Sequence, residues 1–441
     1  MNSEKKVWSR RQFINSAVGG MAGIAVIPNL TGCTSKSGDG TIRLGFIGMG
    51  RQSMFLLNGF IRIPGVQVVA GCDVYGIKRQ RFEKRVNAFY TKAGKEVKIK
   101  TYEKYNDLLK RKNIDAVVIA VPDHSHAMIA IAACKAGKDV YLEKPMTLTI
   151  KEGQELRKTV RKTGRILAIG SQQRSDPNFQ HAVRLVQDGA LGNISLVNAY
   201  VGAPPTPYDL PEEPVPADLN WDLWLASLPE TIHYNNQLNP LISLDPEENE
   251  KIWGAWRWYK GMGGGYTTDW GAHMFDIAQW GLGMDKNGPV EISPIGDGTE
   301  YMTFKYASGT VMTSEPFDEK KTKGVKFIGE NGWIEVARGY FNASDPKFNP
   351  PEKEVTDPNM PYETKIPHQL NFIESVRSRK DPVVPVETGH SSCTVCTLGN
   401  IACELNRTIK WDPATETFTD DTDGAATKLL HYTYRTGWKL V

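Results

Sequence analysis

A glycine turn directly after an apolar, β-branched run constrains this chain more than any other segment. The run Ile42–Ile47 leads into Gly48-Met49-Gly50-Arg51-Gln52-Ser53, the G-x-G-x-x-G pattern with Ser in place of the third glycine. The first two glycines allow a tight turn and let a pyrophosphate approach the N-terminus of the next helix. Asp73 ends the following β-type run, where a carboxylate can accept hydrogen bonds from an adenosine ribose. The pattern predicts a bound NAD, and it disfavours NADP because Asp73 would repel a 2′-phosphate.

The chain is long enough for two domains. It has 441 residues, more than one hydrophobic core usually serves. From 41 to 165, β-branched runs alternate with amphipathic stretches, a pattern typical of βαβ units around a parallel sheet. We therefore predict an α/β fold, with a Rossmann domain over 41–165, a second α/β domain over 166–410 and a C-terminal tail over 411–441.

Residues 1–33 have the features of an export signal rather than of a fold element. Ser9-Arg10-Arg11-Gln12-Phe13-Ile14 resembles a twin-arginine motif and precedes an apolar stretch from Ala17 to Ile27. A transmembrane anchor is the alternative, but this stretch is broken by glycines and is shorter than the ~20 apolar residues that a spanning helix needs. Leu30-Thr31-Gly32-Cys33 resembles a lipobox, which predicts lipidation at Cys33 and an exported, periplasmic or outer-envelope lipoprotein held at a membrane.

The twin-arginine motif resembles the export signals of proteins that fold and load a cofactor before they cross the membrane. A dinucleotide would then be fitted in the cytoplasm, and no soluble pool would exchange it outside. We expect a tightly held cofactor that is restored within each catalytic cycle.

The charge composition argues against a nucleic acid partner. The formal net charge is +3 and the basic residues are dispersed among acids, so no nucleic acid partner is expected.

Cys393 and Cys396 have C-x-x-C spacing, which could indicate redox or metal chemistry. We predict instead that they lie with Cys403 on the apolar face of a buried helix, since no His or second pair completes a metal site.

Two further segments follow predicted strands, at the edge where parallel sheets hold ligands. Pro122-Asp123-His124-Ser125-His126 should cap or line the dinucleotide cleft, and a metal site at the two histidines would lack a third ligand. Glu143-Lys144-Pro145 would place an ammonium at the rim of the same crevice. A solvated surface lysine is the alternative interpretation of Lys144.

The segment Gly261–Trp280 predicts a loop and N-cap over Gly263–Thr268, followed by a buried helix that carries a polar stripe. Asp269, His273, Asp276 and Trp280 fall at i, i+4, i+7 and i+11, and most other positions are apolar. An acid one turn from a histidine can orient the imidazole and tune its basicity. The alternative is a hydrogen-bonded pair with a purely structural role.

Together, Gly48-x-Gly50, Glu143-Lys144-Pro145 and Asp269-x-x-x-His273 resemble the glucose-fructose oxidoreductase / inositol dehydrogenase (Gfo/Idh/MocA) family, over about 41–408. The resemblance implies a Rossmann domain followed by an α/β domain whose open, largely antiparallel sheet presents the substrate. It also implies residue roles: catalysis by Lys144 and His273, Asp269 as the partner of His273, His126 near the nicotinamide, and Arg174 at the substrate. The sequence departs from the family pattern at Ser53 and in a proline-rich insertion near Ala203–Asn220.

The resemblance implies hydride transfer between bound NAD and a hydroxyl of a small carbohydrate, a sugar or a polyol. His273 would take the hydroxyl proton, and Lys144 would stabilise the alkoxide. One alternative is an NAD-dependent glycoside hydrolase that works by transient oxidation, elimination, hydration and re-reduction. Another is a lipid-anchored carbohydrate-binding protein without catalysis. We expect a homo-oligomer with no metal. The predicted cofactor contacts are Gly48, Met49, Gly50, Arg51, Gln52, Asp73, Pro122, His126, Glu143 and Lys144, and the predicted substrate contacts are Arg174, Asp269 and His273.

Overall fold

A computed structural model describes residues 40–240, 242–245, 253–298, 300–351 and 366–440. These residues belong to one compact unit of the chain. The predicted export signal and Cys33 lie outside the described residues.

The first sheet contains six parallel strands in the order β3-β2-β1-β4-β5-β6. Strands β4 and β5 are buried at every residue, as expected for a sheet covered on both faces. The order reverses between β1 and β4, and ligands of open α/β sheets bind outside the carboxyl ends of the strands at such a point. The strands are β1 (Ile42–Ile47), β2 (Val66–Cys72), β3 (Lys100–Tyr102), β4 (Ala116–Ile119), β5 (Asp139–Leu142) and β6 (Leu167–Ile169).

Helices on both faces complete this Rossmann domain. They are α1 (Arg51–Phe60), α2 (Gly76–Lys92), α3 (Tyr105–Leu109), α4 (Asp123–Lys135) and α5 (Ile150–Thr163). Helix α5 begins with a capping box, because the side chain of Thr149 accepts from the backbone of Glu152 while Glu152 accepts from the backbone of Thr149. The core under α1 is aromatic, and Phe60 packs edge-on against Tyr141 of β5 at 5.3 Å between ring centroids.

The second sheet contains nine strands in the order β13-β12-β11-β7-β10-β9-β8-β14-β15. All its pairings are antiparallel except that of β7 with β10, so the predicted α/β fold with a largely antiparallel second sheet is confirmed. The strands are β7 (Ile194–Ala199), β8 (Glu291–Ile295), β9 (Tyr301–Lys305), β10 (Val311–Thr313), β11 (Gly324–Gly329), β12 (Gly332–Ala337), β13 (Tyr340–Ala343), β14 (Ile409–Asp412) and β15 (Thr417–Phe418).

The helices of the second domain are α6 (Pro177–Gln187), α7 (Trp221–Leu225), α8 (Gly265–Asp269), α9 (Gly271–Gly281), α10 (Pro367–Ser378), α11 (Val386–Leu405) and α12 (Ala425–Lys428). Helix α11 buries Cys393, Cys396 and Cys403 as free thiols, which confirms the packing interpretation of the C-x-x-C spacing. The helix predicted after Thr268 corresponds to α9, but the loop predicted over Gly263–Thr268 is wrong, because α8 begins at Gly265 and ends at Asp269.

The predicted tail does not separate from the second domain at residue 411. Strand β14 crosses that position and pairs with β8, so the sheet continues into the C-terminal segment. Helix α10 returns in the other direction to the Rossmann core, where Phe372 contacts Phe60 and Tyr141. The two domains therefore share side-chain contacts well beyond a single linker.

None of the helices described is long and apolar enough to cross a membrane. No cluster of His, Cys, Asp and Glu in the described part of the chain could hold a metal ion.

Candidate active site

A cavity of about 1300 Å³ lies where the carboxyl ends of the Rossmann strands meet the second domain. It brings together most of the residues predicted from the sequence. The Rossmann domain contributes Gly48, Met49, Gly50, Arg51, Gln52, Asp73, Pro122, His126, Glu143 and Lys144 to its wall, and the second domain contributes Asp269 and His273. Arg174 is the predicted site residue that does not line this cavity.

The glycine turn has the geometry that a dinucleotide requires. Gly48 has a φ of +81°, and a Cβ placed on it would lie 2.4 Å from the carbonyl oxygen of Ala120. Gly50 is the N-cap of α1 and supplies no side chain to the backbone amides of the first turn. Those amides and the helix dipole can therefore receive a phosphate, so the turn fits the pyrophosphate of NAD.

Asp73 connects the glycine turn to the end of β2. Its Oδ2 accepts from the amide of Met49 at 2.7 Å, and its Oδ1 accepts from the amide of Tyr75 at 2.9 Å. The carboxylate therefore holds the turn in shape while it lines the cavity. Its contact with a ribose stays a prediction.

The polar atoms of Glu143 and His126 lie within hydrogen-bond distance of other protein groups. Glu143 accepts from Gln52 at 2.8 Å and from Gln172 at 3.2 Å, and burial raises the pKa of its carboxyl group. The ring nitrogens of His126 lie 2.7 Å from the carbonyl oxygen of Pro145 and 2.9 Å from that of Val121. Burial lowers the pKa of His126 to about 4, so a neutral ring forms part of the cavity wall.

Lys144 and Asp269 form an ion pair inside the cavity. The Lys144 Nζ lies 2.7 Å from Asp269 Oδ1 and 2.8 Å from the Asp269 carbonyl oxygen. The Arg257 Nε lies 3.6 Å from the same carboxylate. Burial alone would raise the pKa of Asp269, but the charges of Lys144 and Arg257 hold it below its usual value.

The predicted pairing of Asp269 with His273 is wrong for this structure. Helix α8 ends at Asp269 and α9 begins at Gly271, so the two residues do not share a face of one helix. The carboxylate instead pairs with Lys144, a residue of the other domain.

The partner of His273 is Gln173, which the sequence analysis did not single out. The guanidinium of Arg338 can only donate, so the Gln173 oxygen faces its Nε at 2.6 Å and its Nη2 at 2.7 Å. The Gln173 nitrogen then donates to His273 Nδ1 at 2.6 Å. Because Nδ1 accepts a hydrogen bond, the neutral imidazole carries its proton on Nε2.

The environment of His273 favours that neutral form. The side chain is buried, and burial lowers the pKa of His273 well below its usual value. The charges of Lys144 and Arg338 lower it further. His273 therefore presents a neutral ring to the cavity at physiological pH.

The expectation that Arg174 contacts the substrate is corrected by its burial. Its side chain is 2% exposed and forms hydrogen bonds of 2.8 and 2.9 Å to the carboxylate of Asp276, and of 2.6 and 2.9 Å to that of Asp285. The guanidinium also lies over the Trp280 ring at 4.9 Å. Asp276 and Trp280, predicted to share the stripe of His273, thus belong to a structural network under α9.

Six aromatic side chains, termed here the aromatic wall, line part of the cavity. Trp258 and Tyr266 are stacked with 4.1 Å between ring centroids, and Tyr266 is 36% exposed. Trp253 is 41% exposed and lies 4.5 Å from the Arg51 guanidinium. The clustered tryptophans near residue 255 were the sequence signal for this wall, which consists of Trp224, Trp253, Trp256, Trp258, Tyr266 and Trp270.

The insertion packs on the Rossmann domain, and the C-terminal segment lines the cavity. The backbone of Asp218 accepts from Gly76 at the start of α2, and Asn220 donates to Glu103 at 2.7 Å. The segment 437–440, termed here the C-terminal strap, lines the same cavity. Tyr434 and Arg435 anchor it to Glu152 at 2.5 Å and to Asp222 at 2.7 Å.

Comparison with known proteins gives the family. Residues 42–171 match the NAD-binding Rossmann-fold domain of the Gfo/Idh/MocA oxidoreductases, and residues 205–440 match their C-terminal α/β domain. The chain belongs to the Gfo/Idh/MocA oxidoreductase family. The glycine turn, Asp73 and the unobstructed first turn of α1 agree with the NAD-binding assignment of the first domain.

Individual relatives are distant. An inositol 2-dehydrogenase of Salmonella paratyphi B is 28% identical over 160 residues, which are 36% of this chain and 45% of that protein. A glycosyl hydrolase family 109 protein of Shewanella amazonensis is 30% identical over 175 residues, covering 35% of this chain and 37% of that protein. The chain thus spans less than half the length of each of these two relatives.

A solved structure shows the same fold. The scyllo-inositol dehydrogenase of Lactobacillus casei, crystallised with NAD(H) and scyllo-inositol, superposes with a TM-score of 0.54. The match covers 84% of this chain and 99% of that one at 17% identity.

Proposed function

We propose that this protein is an NAD-dependent oxidoreductase that acts on a CH–OH group of a sugar or polyol. The observation that carries the proposal is the meeting of Lys144 and His273 in the cavity that also contains the glycine turn. A dinucleotide seated on that turn would extend along a cavity wall that ends at these two side chains. The inositol dehydrogenases among the relatives support the choice of a polyol-like substrate.

We assign the proton-transfer roles from the hydrogen bonds of the two residues. Bound NAD supplies the hydride acceptor. His273, with its proton on Nε2, donates a hydrogen bond to the substrate oxygen and stabilises the developing alkoxide. Lys144 relays the hydroxyl proton: its ammonium passes a proton to Asp269 Oδ1, 2.7 Å away, as Nζ takes the proton of the substrate hydroxyl. These roles exchange those expected from the sequence, because Gln173 occupies His273 Nδ1.

The substrate experiment uses the purified protein with its cofactor. A panel of sugars and inositols is added, and absorbance at the reduced-nicotinamide band is followed. A substrate should raise this absorbance in proportion to the bound cofactor. Lys144→Met should lower the rate by ~10²-fold or more while the cofactor content stays unchanged. Near-normal turnover of Lys144→Met with a confirmed substrate would contradict the mechanism.

A glycoside hydrolase is the second candidate, and the similarity to a family 109 glycosyl hydrolase favours it. Oxidation of a sugar hydroxyl to a ketone acidifies the neighbouring C–H, which permits elimination of a glycosidic leaving group. Addition of water and re-reduction then complete hydrolysis without net redox change. Glycosides in the same panel separate the candidates, because hydrolysis releases free sugar without lasting reduction of the cofactor.

We also propose that the protein is exported with NAD already bound and is anchored through lipid on Cys33. The twin-arginine motif at Arg10 and Arg11 and the lipobox ending at Cys33 support this proposal. The C-terminal strap lines the cavity together with the nucleotide turn, which favours slow release of a dinucleotide.

Two measurements test the export proposal. Denaturing the exported protein should release a nicotinamide dinucleotide into the supernatant, and its complete absence would contradict cofactor loading before export. Cys33→Ser should shift the protein from the membrane to the soluble fraction. Unchanged partitioning would show that Cys33 is not the anchor.

A further inference from the structure

The wall of the cavity around His273 carries more positive than negative charge. Lys144, Arg257, Lys323 and Arg338 all line it. Asp269 lies within ion-pair distance of the first two, at 2.7 and 3.6 Å. Lys323 and Arg338 have no carboxylate within ion-pair distance among the residues that the structure describes.

Both of these cations lie against the indole ring of Trp270. Lys323 precedes β11, and its Nζ lies 4.0 Å from the ring centroid of Tyr266 and 5.1 Å from that of Trp270. Arg338 lies between β12 and β13, and its Cζ is 4.6 Å from the Trp270 centroid. Its Nε and Nη2 are used by Gln173, which leaves Nη1 for a ligand. Both residues belong to the second domain, whereas the turn that fits the pyrophosphate belongs to the Rossmann domain.

Other carboxylates of the cavity wall offset these charges only in part, and Glu143 is the one that acts on Arg338. Glu143 accepts from Gln52 and Gln172, and Asp176 accepts from the backbone amides of Asn178 and Phe179 as the N-cap of α6. Burial raises the pKa of Asp123 well above its usual value, which favours the neutral acid.

Burial also disfavours the charged forms of the two cations. It lowers the pKa of Lys323 and of Arg338. Asp269 opposes this shift at both residues, and Glu143 opposes it at Arg338, but only in part. Partly buried cations usually have an anionic partner, and arginine is well suited to carboxylate and sulfate oxygens. An anionic ligand would supply the missing charge.

We propose that the substrate is an anionic sugar, one that carries a carboxylate or a sulfate group bound between Lys323 and Arg338. The proposal rests on the proposed function, because it places the sugar ring against Trp270, beside Lys144 and His273. Such a sugar carries a negative charge, which the neutral inositols named as substrates of the relatives lack.

The binding experiment uses sugars that differ only in charge. The NAD-loaded protein is titrated calorimetrically with glucose and glucuronate, galactose and galacturonate, and N-acetylglucosamine and its 6-sulfate. At least one charged sugar should bind about tenfold or more tightly than its neutral counterpart, and the difference should shrink as salt is raised. The uronate and sulfate arms distinguish the two anionic groups.

Matched variants locate the site of recognition. Lys323→Gln should weaken binding of the charged sugar about tenfold, while the Kd of the neutral sugar stays the same. Lys326→Gln is the control. Lys326 lies in β11, three residues after Lys323, and its Nζ is 4.3 Å from the Trp333 ring centroid, but it is paired with Glu335 at 2.9 Å. The control should retain the full preference.

The outcomes separate this inference from the proposed function. Equal affinity for charged and neutral sugars, or equal effects of the two variants, would overturn the anionic-sugar proposal. Cofactor reduction by neutral sugars alone would also overturn it and would leave the proposed function standing. Salt-sensitive binding of a charged sugar that neither reduces the cofactor nor is hydrolysed would support the binding site and contradict the proposed function.

Discussion

His273 illustrates how the role of a side chain is decided by residues remote in the sequence. Its position was predictable from the Asp269-x-x-x-His273 spacing, but its partner was not. Gln173 and Arg338 come from other segments and meet it only in the fold. Because they place the imidazole proton on Nε2, His273 should act as a hydrogen-bond donor.

His273→Gln and His273→Ala test this role. Ala removes the donor and should lower kcat/KM by ~10²-fold or more. Gln keeps an N–H group but cannot serve as a base, so it should retain activity within about tenfold of wild type. The pH profile of the wild type should show no acidic limb near pH 6.5, since burial lowers the pKa of His273 well below that value. Equal losses in both variants would restore His273 as the proton acceptor.

Arg174 was expected at the substrate, and its buried network indicates a structural role instead. Arg174→Met leaves Asp276 buried without its counter-charge and should lower the free energy of unfolding by about 3–5 kcal/mol, measured by urea denaturation. Arg161→Met is the control, because that side chain is 43% exposed and its pairs with Asp381 and Glu387 should contribute about 1 kcal/mol or less. Normal stability with a raised KM would restore the substrate role of Arg174.

The elements differ in how far the sequence could predict them. Strand β1 follows the predicted bounds, because the β-branched run ends there at a glycine turn. Helix α8 could not be predicted in the same way. Its glycine and threonines are typical of a loop and an N-cap, whereas in the fold Gly265, Thr267 and Thr268 are buried in a short helix.

Gly48→Ala tests the turn between β1 and α1. Gly137→Ala is the matched control, because Gly48 and Gly137 have similar φ angles, +81° and +75°, and should share a backbone strain of about 1 kcal/mol. A Cβ on Gly48 would meet the Ala120 carbonyl at 2.4 Å, whereas a Cβ on Gly137 would meet nothing within 4 Å. Gly48→Ala should therefore lose bound NAD on gel filtration while Gly137→Ala retains it. Equal retention would exclude a role of this turn in holding the cofactor.

At the scale of the whole molecule, the family resemblance predicted two domains but not how the chain returns between them. The C-terminal segment adds β14 and β15 to the second sheet, and the strap then passes to the nucleotide end of the cavity. The contacts of Tyr434 with Glu152 and of Arg435 with Asp222 join segments far apart in the chain. No local pattern encodes such contacts, so the tail appeared separate in the sequence.

Cofactor retention should depend on this long-range closure. Arg435 donates to the Asp222 carboxylate at 2.7 Å and to the Ala226 carbonyl at 2.5 Å, and thereby fixes the strap beside α7. Arg435→Ala should raise the rate of NAD release about tenfold or more, while turnover per bound cofactor changes little because Lys144 and His273 keep their contacts. The rate is measured by trapping released NAD with a coupled dehydrogenase.

Arg407→Ala is the control for this prediction. Arg407 also belongs to the C-terminal part of the chain, but its partners Asp421 and Asp423 lie within that segment and none of the three lines the cavity. If Arg435→Ala and Arg407→Ala release NAD at the wild-type rate, the strap does not control release, and the tight retention proposed for export must come from the Rossmann domain itself. If Arg435→Ala alone accelerates release, the enclosure of the cofactor is a property of the whole chain, because it requires the first and last segments of the described structure to close the same cavity.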